Sequence, residues 1–153
     1  MTIRKYSDTN RDEILKLLRL NTPQFFAASE EADLIYYLEN HAHNFYVAIE
    51  ENKILGCGGF NLADDKSVMR ISWDIVHPSS QGRGVGTALT LFRINKIKEI
   101  ESIKIISVRT SQHVYKFYER FGFEIKEKVK DFWAPGFDMF RMECSVDSIN
   151  LEL

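Results

Sequence analysis

Apolar residues recur along this chain with helical, alternating and continuous rhythms, and each rhythm predicts an element. Ile3 to Tyr6 reads as a short strand. Asp8 or Thr9 is placed to cap a helix whose apolar face, Ile14, Leu15, Leu17 and Leu18, has the spacing of one helical stripe. Asn21-Thr22-Pro23 ends it, and Ser29 with Glu30 and Glu31 opens a second helix carrying Leu34, Ile35, Tyr37 and Leu38 to near Asn40. Phe45–Ile49 and Ile54–Phe60 flank Glu51-Asn52-Lys53 as a hairpin, and Val68–Val76 follows the turn Asp64-Asp65-Lys66 as a long third strand of a meander.

The second half changes rhythm. Thr87 to Ile100 is predicted helical, and Ile103 to Val108 is the continuous apolar run of a strand covered on both faces. Ser111 to Arg120 reads as a further helix stopped by Gly122, and Phe123–Val129 with Phe137–Cys144 as a final strand pair. The element order is β-α-α-β-β-β-α-β-α-β-β, with no internal repeat and no linker. We expect one domain over residues 1–145 and a short tail over 146–153.

Composition sets boundaries on this picture. At 153 residues, 44% hydrophobic and 27% charged, the chain is of ordinary globular type. No apolar run approaches the ~20 residues a membrane span needs, and the N-terminus has no leader pattern, so a cytoplasmic location without membrane attachment is expected. The net charge of −2 argues against a nucleic-acid partner. Cys57 and Cys144 stand apart in apolar surroundings without metal-ligand spacing, which reads as two buried thiols and no metal site. From Ile75 to Lys98 there is no acidic residue, whereas Arg83, Arg93, Lys96 and Lys98 are present, a balance that suits a polyanionic small ligand.

The candidate chemistry lies in that stretch. Val76-His77-Pro78-Ser79-Ser80-Gln81-Gly82-Arg83-Gly84-Val85-Gly86-Thr87 joins a strand to a helix through alternating glycines, which let backbone N–H groups converge on an anion at the positive end of a helix dipole. The spacing is wrong for a dinucleotide fingerprint, and Gly86-Thr87-Ala88 lacks the lysine of a Walker loop. A plain packing turn remains the bland alternative, but it leaves Arg83 unexplained.

Two motifs together resemble the GNAT superfamily of acyl-CoA-dependent N-acyltransferases. Gln81-Gly82-Arg83-Gly84-Val85-Gly86 matches its [QR]-x-x-G-x-[GA] signature, and Phe117-Tyr118-Glu119-Arg120-Phe121-Gly122-Phe123 matches the Y-E-x-x-G-F end of a later helix. The resemblance covers about Ile3 to Glu143. It implies an α/β (α+β) single-domain GNAT-like fold, a mixed, mostly antiparallel twisted sheet of about seven strands flanked by four helices.

The same resemblance implies acetyl-CoA as co-substrate. Backbone groups of Ile75 and Val76 would bond the pantetheine, and amides of Gln81, Gly82, Arg83, Gly84, Val85, Gly86 and Thr87 the pyrophosphate, with Ser111 at a position where many members carry a CoA-contacting asparagine. Transfer to a primary amine needs the neutral amine, which at pH 7 costs roughly 4.6 kcal/mol for a pKa of ~10.4. Asp74, just before the glycine turn, is the candidate base, and Tyr118 the candidate acid for the departing thiolate. The strand position where the histone-modifying branch carries a glutamate is Arg70 here.

The acceptor, a small-molecule or peptide amine, is expected between aromatic segments, with Phe26, Glu30 and Tyr36 on one side and Trp133 and Phe137 on the other. Glu30, Glu31, Asp131 or Asp138 is expected to attract its cation. A homodimer through the C-terminal strands is a further expectation. The alternative in a different class is a non-catalytic acyl-CoA-binding or sensing module.

Overall fold

A computed structural model describes residues 1–153. Seven strands form one mixed sheet: β1 (Thr2–Lys5), β2 (Phe45–Glu50), β3 (Lys53–Leu62), β4 (Val68–Val76), β5 (Ile105–Thr110), β6 (Glu124–Ala134) and β7 (Phe137–Ser145), in the order β1-β2-β3-β4-β5-β7-β6. Four helices accompany them: α1 (Arg11–Leu20), α2 (Glu30–Asn40), α3 (Val85–Lys98) and α4 (Tyr115–Glu119). The β4–β5 pair is parallel, and β1–β2, β2–β3, β5–β7 and β6–β7 are antiparallel. The element order is the one the hydrophobic pattern predicts, and no helix is long and apolar enough to cross a membrane.

The chain divides into two compact units, the first made of residues 1–60 and 73–93. There α1 buries Ile14, Leu15, Leu17 and Leu18, and α2 buries Leu34, Tyr37 and Leu38, in one cluster with Phe45, Val47, Cys57 and Ile75. Each such leucine contributes about 1.5–3 kcal/mol by leaving water. Neither Asp8 nor Thr9 caps α1: residues 8–10 form a 3-10 turn, in which the Ser7 amide donates to Asn10 Oδ1 at 3.1 Å. Glu51 and Asn52 both take positive φ, 50° and 63°, so the β2–β3 hairpin is a two-residue turn of the mirror-image type whose twist matches the strands.

Glycines in β3 decide how closely its neighbours approach. A Cβ on Gly56 would stand 3.0 Å from the Ile75 carbonyl and 3.1 Å from Val85, and one on Gly58 would fall 2.5 Å from the Asp74 carboxylate and 2.7 Å from the Arg93 guanidinium. A side chain at Gly58 would displace the Asp74–Arg93 pair, and one at Gly56 would need its neighbours to yield by a few tenths of an ångström.

The second unit holds residues 61–72 and 94–153. Asp65 starts it with an Asx turn, accepting from the Ser67 amide at 2.9 Å and the Ser67 hydroxyl at 2.7 Å. Two elements differ from the sequence reading. Helix α4 begins only at Tyr115, because residues 111–114 form a turn in which Ser111 Oγ accepts from the His113 amide at 3.2 Å. Strand β5 begins at Ile105 rather than Ile103, and β6 runs on to Ala134, with Asp131 at φ 54° marking an irregularity in its register. The last residues are tied down: the Asn150 amide donates to the Phe121 carbonyl at 2.7 Å and its side chain to the Arg120 carbonyl at 3.1 Å.

Candidate functional site

The turn between β4 and α3 is built from the C-terminal end of α1 upward. Asn21 is buried there, its amide donating to the Leu17 carbonyl at 2.9 Å and to the Val76 carbonyl at 3.1 Å. Gln81 completes the knot, its side-chain amide donating to Asn21 Oδ1 at 2.9 Å and to the same Val76 carbonyl at 3.1 Å. The Val76 carbonyl is therefore engaged by two side chains, so of the strand-end groups expected to meet a pantetheine this one has partners already. His77 opens a 3-10 turn over Pro78–Ser80, its Nδ1 accepting from the Ser79 amide at 3.1 Å.

Beyond Gln81 the chain is exposed through Gly84. Gly82 and Gly84 have φ of 77° and 83°, the left-handed region that favours glycine, and a Cβ on either would meet nothing within 4 Å. Conformation, not crowding, requires these two glycines, and the space above them is open. The first intrahelical bond of α3 runs from the Ala88 amide to the Gly84 carbonyl at 2.9 Å. The amides of Val85, Gly86 and Thr87 precede it, where helices leave donors without intrahelical acceptors and the dipole is positive. Such a terminus binds an anion by its geometry.

The cations of the acid-free stretch do not all serve this turn. Lys96 and Lys98 lie in the last turn of α3, which at 14 residues is roughly 20 Å long, and there they complement the negative end of the dipole. Arg93 is fully buried. Its Nη1 donates to the Gly59 carbonyl at 3.0 Å, its Nε to the Leu89 carbonyl at 3.1 Å and its Nη2 to Thr90 Oγ1 at 3.3 Å, and Nη2 also pairs with the Asp74 carboxylate. Of the four cations, Arg83 alone stands exposed at the turn.

Asp74, expected as a free base, thus holds a buried guanidinium. It follows Trp73, whose φ of 57° breaks the regular course of β4 and turns its indole toward Phe26, the rings stacking with centroids 6.3 Å apart. Phe26 is in this way packed against the core cluster. Glu30 is buried, accepting from the Ala27 amide at 2.8 Å, so the carboxylate expected to attract a cationic acceptor instead closes the loop into α2. Burial, the largest cause, together with Asp33 raises its pKa against the lowering effect of the Ala27 bond. Tyr36 is exposed, its ring 5.6 Å from that of His41.

In the second unit Tyr118 is 3% exposed, packed edge-on against Phe117 and Phe123. Ser111 is buried and its hydroxyl is used within its own turn. Trp133 donates its indole N–H to the Thr110 carbonyl at 3.2 Å, and Phe137 packs edge-on against His113. The hairpin tip is self-contained: Asp131 Oδ1 accepts from the Gly136 amide at 2.8 Å, and Asp138 Oδ1 from the Asp131 amide at 3.0 Å. Gln112 bridges it, donating to the Gly136 carbonyl at 2.8 Å and accepting from the Asp138 amide at 2.9 Å. Asp131 and Asp138 therefore hold the turn.

Cys57 is fully buried, its Sγ 3.6 Å from the Trp73 carbonyl. Burial first, and Asp74 second, push this thiol far above the usual range, and burial likewise raises Cys144. Neither is poised as a nucleophile. The roles of Arg93 in the buried pair with Asp74 and of Asn21 beneath the turn are what sequence reasoning missed. The Gly56-Cys57-Gly58-Gly59 run inside a strand was the available signal, since such glycines mark close approach by another group.

A strand, a glycine turn and a helix N-terminus, set in this mixed sheet with its four helices, define a protein of mixed α/β fold whose turn has the geometry of an anion site. Its family is the acetyltransferases: a profile described as "Acetyltransferase (GNAT) domain" matches residues 41–125, and the chain belongs to that family. Solved structures with the same fold include an aminoglycoside 6'-N-acetyltransferase complexed with coenzyme A, 16% identical, with a TM-score of 0.77 over 95% of this chain and 97% of that one. A ribosomal-protein-alanine N-acetyltransferase from Brucella melitensis is 15% identical, TM-score 0.76, over 95% and 99%. A Salmonella typhimurium protein solved with its cofactor acetyl-CoA is 15% identical, TM-score 0.74, over 96% and 94%. No curated protein sequence matches.

Proposed function

We propose that this protein transfers an acetyl group from acetyl-CoA to a primary amine, by direct attack of the amine on the thioester carbonyl in a ternary complex. The observation that carries the reading is the turn itself. Left-handed Gly82 and Gly84 with nothing above them, followed by the amides of Val85, Gly86 and Thr87 at the start of α3, fit a pyrophosphate, and exposed Arg83 adds positive charge. Coenzyme A in one structural relative and acetyl-CoA in another support the choice of donor.

In this reading the ammonium first gives up one proton, and the neutral amine then forms the C–N bond as the C–S bond breaks. The Tyr118 phenol donates a proton to the departing thiolate, and the resulting phenolate takes the second proton from the nitrogen. The ladder between β4 and β5 covers Val68–Ile71 against Ile105–Val108, and Ile75 lies beyond it, where its backbone would run beside the pantetheine. Asp74 serves by holding Arg93 under β4, and water takes the ammonium proton before attack. The location assigned to this activity is the cytoplasm, where acetyl-CoA and free amines meet.

The test has two arms. Calorimetry with coenzyme A should give micromolar binding that falls at least about tenfold in Gly84→Val, because a β-branched residue resists φ near 83°. Free-thiol release with acetyl-CoA and an amine panel should slow about 10²-fold in Tyr118→Phe, with coenzyme A affinity unchanged. Absence of binding by the wild-type protein removes the donor assignment, and full turnover in Tyr118→Phe removes that residue from the reaction.

A further inference from the structure

Three arginines come together on one face of the second unit. β4 pairs Arg70 with Ser107 of β5, and β5 pairs Arg109 with Arg141 of β7. Cross-strand partners share a face, and so do residues two apart, so Arg70, Ser107, Arg109, Arg141 and Glu143 all lie on one side. The opposite side, Met69, Ile71, Ile106, Val108, Phe140 and Met142, is buried core.

The three guanidinium groups are not equally compensated. Arg141 Nε donates to Glu127 at 3.2 Å and its Nη1 pairs with Glu143, so the two nearby carboxylates are engaged by one arginine. Arg109 is exposed. Arg70 is half-buried, and its Nε is shielded from solvent without a hydrogen-bond partner. Burial, then Arg109, and to a smaller extent Arg141, disfavour its charged form against the pull of Asp64. Only Asp64 offsets the burial of this guanidinium beside two others, its Nε is left without a hydrogen bond, and a group that costs stability in place is the kind retained for a ligand.

We infer that Arg70 and Arg109 form a site for a carboxylate, with Arg141 held beside them by Glu127 and Glu143. A guanidinium fork matches a planar carboxylate through two parallel N–H···O bonds. On the proposed acetyl transfer one source of the carboxylate is the acceptor itself, an amine that also carries a carboxylate. The same chemistry in a separate carboxylic acid would make it an effector.

The experiment follows the side-chain Nε–Hε resonances of nitrogen-15-labelled protein by NMR during titration with N-acetylglycine and with neutral N-acetylglycinamide. The Arg70 signal should move saturably with the carboxylate only, and Arg109→Gln should weaken that binding about tenfold, the size of one lost charge-assisted contact. No saturable shift, or the same shift with the amide, overturns the site. Arg70→Met should melt no lower than wild type without ligand; a clear fall in Tm assigns Arg70 to structure instead. Turnover of alanine against ethylamine separates the sources: a preference for alanine that collapses in Arg70→Gln places the carboxylate on the acceptor, and N-acetylglycine binding with no such change makes it an effector. Coenzyme A calorimetry on the same samples keeps the readings apart, because loss of coenzyme binding strikes the glycine turn and leaves the arginine result standing.

Discussion

Replacing Asp74 by alanine leaves the fully buried Arg93 charged and without its counter-ion. The guanidinium keeps its bonds to the Gly59 and Leu89 carbonyls and to Thr90, so hydrogen bonding is reduced while charge compensation is lost. Breaking a buried pair from one side costs about 3–5 kcal/mol. The Asp74 side chain is 19% exposed, which admits water to one end of the pair and favours the lower part of that range. At about 2–4 °C per kcal/mol for a chain of this size, Tm should fall by roughly 6–20 °C. Equilibrium unfolding in urea, followed by circular dichroism, measures the loss directly if the slope m is unchanged. The double variant Asp74→Ala with Arg93→Met removes both charges and should recover most of the loss, to within about 1.5 kcal/mol of wild type, because an apolar side chain suits that site. An Asp74→Ala cost below about 1 kcal/mol, or a double variant as poor as the sum of the singles, refutes the reasoning.

Two further outcomes follow from burial. Glu30 has its pKa raised in the folded state, so the fold prefers its neutral form, and its contribution to stability falls as pH climbs from the ordinary glutamate value of 4.5 through the raised one. Glu30→Gln keeps an acceptor for the Ala27 amide, so its melting temperature relative to wild type should rise between pH 4 and pH 7 and stay level below; a flat difference across that range contradicts the assignment. Both cysteines should react with a thiol reagent at least about 100-fold more slowly in the native protein than in denaturant. Rapid native labelling of Cys57 would show that the Trp73 region opens far more readily than its packing implies.

Most of the fold was legible because its helices advertise one buried stripe and its strands are bounded by strong turns. Val68–Val76 was readable to the residue from its apolar content and the Asp64-Asp65-Lys66 turn, and α2 from Ser29-Glu30-Glu31. Helix α4 was over-read because Ser111-Gln112-His113-Val114 has no breaker, yet Ser111 Oγ captures the His113 amide and Gln112 is drawn away to the hairpin tip. Such competition between local side-chain bonds and a helix leaves no mark on periodicity. The end of β6 was missed for the opposite reason: Asp131, Ala134, Pro135 and Gly136 look like a long loop, and Asp131 and Asp138 shorten it by bonding across it.

The site divides along the same line. Gly82 and Gly84 were legible because their role depends on backbone conformation, which the residue type itself reports. The roles of charged residues depend on what faces them, and a one-dimensional count assigns them all to solvent or ligand alike. Arg83, Arg93, Lys96 and Lys98 look equivalent in the acid-free stretch, but one lies at the turn, one is buried against Asp74 and two sit at the far end of a helix. Arg70 was noted only as a missing glutamate, and its meaning emerged from strand register, which sets it beside Ser107 and within reach of Arg109. A cation that the fold pairs, as with Arg93, is explained by structure, whereas one left half-buried with no hydrogen bond to its Nε, as with Arg70, points to a ligand. Burial together with pairing, rather than charge alone, separates the structural arginine from the one that points to a substrate.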